Sequence, residues 1–159
     1  MLRRSILLTL IASSAPMQAR AGEASIGAIA VSVEVVSNCT VSATPITLSA
    51  REGVTTQAES AIDVQCGPEQ PFTVSLNHGD YADGTTRRAF DSAAMRYLAY
   101  DIYRDPARLF PWSDSPEQSA SGVTNAVGQA RLKAYGSLRT AQAISPGKYA
   151  DRVVVTINF

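Results

Sequence analysis

The chain has 159 residues, with 14 basic and 14 acidic side chains, one histidine and two cysteines, a length that suits one ordinary domain. Hydrophobic residues make up 45% and charged residues 18%, enough apolar side chain for a packed core, which excludes a disordered polar tail. With no basic excess to neutralise phosphates, the composition argues against a nucleic-acid partner.

Met1-Leu2-Arg3-Arg4 is a basic start, residues 5–15 (SILLTLIASSA) are apolar, and Ala19-Arg20-Ala21 sets small residues before Gly22. This charged, apolar, small-residue order predicts a secretory signal peptide over residues 1–21, cleaved before Gly22. The apolar run falls short of the roughly 20 residues a membrane span needs. Removing Arg3, Arg4 and Arg20 leaves 11 basic against 14 acidic residues.

Export places Cys39 and Cys66 in an oxidising compartment, where they are expected to pair. Their spacing of 27 residues excludes a C-x-x-C redox motif. Two cysteines and one histidine cannot complete a structural zinc site, so no metal is expected. Closing such a loop stabilises a domain by about 3–4 kcal/mol in the chain-entropy model.

Six stretches alternate apolar and polar residues, the mark of half-buried strands. In chain order, their apolar faces are Ile29, Val31, Val33 and Val35; then Ile62, Val64 and Cys66; then Phe72, Val74 and Leu76. There follow Leu98, Tyr100 and Ile102; Ala130, Leu132, Ala134 and Leu138; and Val153, Val155, Ile157 and Phe159. A seventh candidate over 39–48 is interrupted by Pro45, which signals an edge or a bulge. Residues 104–128, with the only tryptophan, read as loop. Trp112 there suits either an exposed contact or a cap on the core. Turn formers such as Gly67-Pro68, Asp83-Gly84 and Pro146-Gly147 separate the stretches. The pattern predicts an all-β sandwich on the scale of an immunoglobulin domain.

The first strand precedes Cys39, so the disulfide does not tie it down. Without it about six strands remain, one short of an immunoglobulin-like sandwich, which would expose core and an unpaired edge. The segment 26–36 (IGAIAVSVEVV) suits a strand of its own domain or one donated to another chain, and periodicity does not distinguish the two.

Catalytic groups are scarce. His78 stands beside Gly79 and reads as an exposed turn residue, and there is no G-x-S-x-G elbow. No cofactor and no enzymatic activity are expected. Asp80, Asp83 and Gly84 lack the regular oxygen spacing of a calcium loop and suit a turn. Tyr97 and Tyr103 share a strand face, a pattern of cross-strand packing more than of a carbohydrate platform.

Taken in order, several motifs resemble one family. The alternating leader ends at Val35, four residues before Cys39, and Cys66 closes an alternating strand. PFTVSLNHG (71–79) precedes RRAF (87–90), and LAYDIYRDPAR (98–108) precedes Trp112 and Asp114. AYGSLRTAQAISPGKYADRVVVTINF (134–159) ends on an aromatic. Across 26–159 the chain resembles the spore coat protein U domain family, subunits of archaic chaperone–usher pili. It departs at ITLSAREG (46–53), where members often carry a phenylalanine–glycine step.

The resemblance implies an incomplete immunoglobulin-like β-sandwich of the pilin type over 37–159, completed by a donated strand. It makes 22–36 the donor segment, with Ile29, Val31, Val33 and Val35 as plugs. Val153, Val155, Ile157 and Phe159 then mark the edge that a chaperone or donor strand pairs against. The partners it implies are a periplasmic chaperone, an outer-membrane usher and neighbouring pilin subunits, in a surface fimbria that supports adhesion and biofilm formation. An adhesive tip or minor binding subunit, and a self-complemented spore-coat or matrix protein, are the alternatives.

Overall fold

The computed structural model describes residues 32, 38–48, 50–51, 54–55, 57–139 and 142–159. The chain divides into Met1–Glu34 and Val35–Phe159; of the first unit only Ser32 is described, and the rest concerns the second. The plug positions Ile29, Val31, Val33 and Val35 lie outside the described residues.

The larger sheet has five antiparallel strands in the order β1 (Thr40–Ala43), β4 (Gln57–Gln65), β9 (Gln129–Leu138), β7 (Arg96–Tyr103) and β6 (Arg87–Asp91). The smaller sheet has β10 (Val155–Asn158), β5 (Pro71–Leu76) and β8 (Ala120–Val123). β2 (Ala50–Arg51) and β3 (Val54–Thr55) form a two-stranded hairpin at the site of the family departure. The architecture is the all-β sandwich read from the alternation, an incomplete immunoglobulin-like form.

Register follows from which residues seek the core. Ile62 and Val64 of β4, Phe72, Val74 and Leu76 of β5, and Leu98, Tyr100 and Ile102 of β7 are all buried. Each such side chain contributes about 1.5–3 kcal/mol on leaving water, and a one-residue slip would turn the whole set outward. The long β4–β9 ladder opposes Asp63 to Arg131 and Glu59 to Tyr135 on its outer face.

In the two larger sheets, two strands depart from the sequence reading. β6 shows weak alternation because its buried ends are Arg87 and Asp91, each 5% exposed. β8 lies inside residues 104–128, which read as loop, together with a 3-10 turn at Pro116–Gln118. Gly122 of β8 is small because Phe72 packs there: a Cβ would come 2.7 Å from the ring.

Trp112 resolves to the cap. It is 0% exposed; its backbone N–H donates to Ile102 O at 2.9 Å and its indole N–H to Val74 O at 2.9 Å. One residue thus joins the two sheets. Ser113 O accepts from Leu76 N, on the flank of β5 away from β10. Pro111 bridges Tyr103 on the flank of β7 away from β9.

Candidate functional site

Among the described residues, the flank of β10 away from β5 carries no strand. β1 stops at Ala43, two residues before Pro45, whose missing N–H cannot extend the ladder. Thr44 makes the last bonds there, donating from its N–H to Ala61 O at 3.0 Å and accepting from Ala61 N at its Oγ1. The chain then leaves β4, and half-buried Ile46 and Leu48 lie over Gly136, where a Cβ would come 2.7 Å from Ile46 Cγ2.

The facing wall is the segment 144–155, which crosses from the larger sheet to the smaller. Ala150 exchanges two backbone hydrogen bonds with Phe90 of β6, at 2.8 and 3.0 Å, and the Tyr149 hydroxyl donates to Ser145 O at 3.1 Å. Between the walls lies a groove of roughly 1100 Å³ floored by core residues, among them Ile62, Leu76, Leu98, Ile102 and Leu138.

A polar cluster holds the start of β10. Asn77 N–H donates to Val154 O (3.1 Å) while Asn77 Oδ1 accepts from Val154 N (2.8 Å). The buried Arg87 guanidinium donates to the carbonyls of Leu76 and Asn77, at 2.7–3.1 Å. Burial pulls its pKa below the ordinary arginine value, against neighbouring Tyr100 and Asp101. Asp151 accepts the Tyr100 hydroxyl at 2.6 Å on Oδ2 and the N–H groups of Asp80 and Tyr81 on Oδ1. Burial, helped by that bond to Asp151, raises the Tyr100 pKa well above the ordinary tyrosine value.

Of the expected edge residues, Val153 and Val155 line the groove, and Ile157 packs against the core. Phe159 follows the strand, 56% exposed, beside Pro71, Phe72 and Val123 outside the groove. β10 pairs with β5 on one flank; among the described residues no strand occupies the other. The site therefore combines an unpaired backbone edge with an apolar floor, room for one further strand.

Cys39 and Cys66 are bonded as expected, with Cα atoms 4.2 Å apart. His78 corrects the exposed-turn reading: its side chain is 19% exposed, with Nδ1 3.7 Å from Asp114 Oδ1. Tyr97 packs across strands on Phe90 (4.8 Å) beneath Arg88 (4.5 Å), and Tyr100 is buried. Among the described residues no cluster of three His, Cys, Asp or Glu is placed to hold a metal ion. The Asn77–Arg87–Asp151 cluster was missed, since side chains that bond loop backbone leave no periodic trace.

An open sandwich with an apolar groove beside its last strand defines the class of protein. Residues 25–156 match the Spore Coat Protein U domain, and the chain belongs to that family. It is 30% identical over 121 residues to Protein U of Myxococcus xanthus, covering 72% of this chain and 67% of that one. Its fold is similar to one in the CsuC–CsuE chaperone–tip adhesion subunit pre-assembly complex from archaic chaperone–usher Csu pili of Acinetobacter baumannii. That match has a TM-score of 0.64 and 21% identity, over 79% of this chain and 40% of the solved one. The chain thus spans less than half of that solved chain.

Proposed function

We propose that this chain is a structural, non-enzymatic subunit of an archaic chaperone–usher surface fimbria, polymerising by donor-strand exchange and supporting adhesion and biofilm formation. The observation that carries the reading is the flank of β10 that no strand occupies among the described residues, beside a groove floored by the core. An added strand there gains backbone hydrogen bonds and buries its alternate side chains, the physics of β-augmentation.

In this reading residues 1–21 are removed on export, 22–36 form the donor and 37–159 the sandwich. Ile29, Val31, Val33 and Val35 fill a neighbour's groove, at about 1.5–3 kcal/mol each. The edge at Val153, Val155, Ile157 and Phe159 receives the strand. A periplasmic chaperone occupies the groove first, in keeping with the similar fold in a solved chaperone–subunit complex. The usher and the next subunit then replace it at the outer membrane. Head-to-tail exchange does not close, so it builds a filament.

The test is co-expression of the mature chain with and without residues 22–36, followed by denaturing gels without boiling. Heat-sensitive ladders from the complete chain and none from the truncated one are expected. Ladders from the truncated chain, or a single band from both, refute the reading.

A further inference from the structure

The charged side chains lining the groove are Lys148, Asp151 and Arg152. Asp151 is satisfied on both oxygens by Tyr100, Asp80 and Tyr81. Arg152 is engaged by Asp80 at 3.1 Å, an exposed pair of the kind that is worth little. Lys148 has no ion pair among the described residues. The rim thus presents two cations where the chain enters β10, Lys148 with no ion pair among the described residues and Arg152 in an exposed, exchangeable one.

The leader carries the complement. Between Gly22 and Asn38 its charged side chains are Glu23 and Glu34, with no cation. Glu34 falls on the face of the alternating segment opposite Val31, Val33 and Val35, so it stays outside when those positions enter a groove.

We propose that, when the leader of one copy occupies the groove of the next, its Glu34 pairs with Lys148 and Arg152 on that groove's rim, and that this pairing favours a second copy of this chain over other occupants. Direction follows from where the charges stand. Glu34 is near the end of its segment and the two cations near the start of β10, so antiparallel seating brings them together. Parallel seating carries Glu34 toward Asn158 and Phe159, at the end of β10 away from both cations. Such a pair contributes more to encounter and partner choice than to final affinity. The inference rests on the strand-donation reading.

The experiment follows ladder growth of the purified mature chain over time. Glu34→Lys and Lys148→Glu should each slow it about threefold to fivefold, and combining them should restore it. The wild-type rate should fall between about 50 and about 500 mM salt, and the single variants should lose that dependence. Lys148→Met, which removes the cation without adding an acid, should slow growth with an unchanged melting profile. Wild-type rates in Glu34→Lys and Lys148→Met, or no recovery in the combined variant, overturn the pairing. A heat-sensitive monomer without ladders overturns the second copy as occupant. Val33→Glu separates the two levels, because it should abolish ladders by forcing a charge into an apolar groove. If ladders survive it, strand donation itself fails; if it abolishes them while Glu34→Lys changes nothing, the charge pairing alone fails.

Discussion

Asp151 occupies the space that the missing side chain of Gly79 leaves: a Cβ on Gly79, whose φ is +87°, would collide with the Asp151 carboxylate. The turn after β5 and the approach to β10 are therefore fitted to each other through one residue that must be glycine, for conformation and for room.

Gly79→Ala should accordingly cost about 1–3 kcal/mol in backbone strain and displace Asp151 as well. A lower melting temperature is expected, with faster proteolysis within residues 151–158. Wild-type values for both would show that the turn relaxes freely.

Tyr100→Phe removes the 2.6 Å bond to Asp151, and a loss of about 1.5–3 kcal/mol is expected for a hydrogen bond to a charged group. The raised pKa of Tyr100 fixes the sign of an alkaline effect. Below about pH 10, the unfolded tyrosine value, its contribution is fully present. Above that the unfolded chain ionises first, so stability falls as pH rises. Denaturant unfolding from neutral to alkaline pH should show a shallower decline in Tyr100→Phe than in the wild type.

Trp112→Phe should cost about 2–4 kcal/mol, from lost volume and from leaving Val74 O without its donor. As the only tryptophan, Trp112 also reports on the fold. Native emission should be blue-shifted and shielded from iodide, moving red on unfolding. Ready quenching in the native protein would contradict its burial.

Cys39→Ser should remove about 3–4 kcal/mol and reduce periplasmic yield. An undiminished yield would make the bridge dispensable.

The strands legible in the sequence were those with one face in water and one in the core. β4, β5, β7 and β9 show that alternation, and so do Val153, Val155 and Ile157. β6 escaped because Arg87 and Asp91 are buried for hydrogen bonding, where hydropathy reads them as surface. β8 escaped because Ala120 and Gly122 are small to admit Phe72 and its neighbours. A shortfall of one strand was legible in the count of alternating stretches; the cluster that anchors the groove's wall was not, because Asn77, Arg87 and Asp151 meet only through the folded chain.

The bridge made by Trp112 gives the sandwich a spine. Its indole and backbone tie β5 to β7, and beside the groove Arg87 of β6 ties to the carbonyl of Leu76 while the segment 144–155 crosses between the layers, so the two layers are cross-braced. A strand added along β10 would then meet a frame already braced, with little of it left to order.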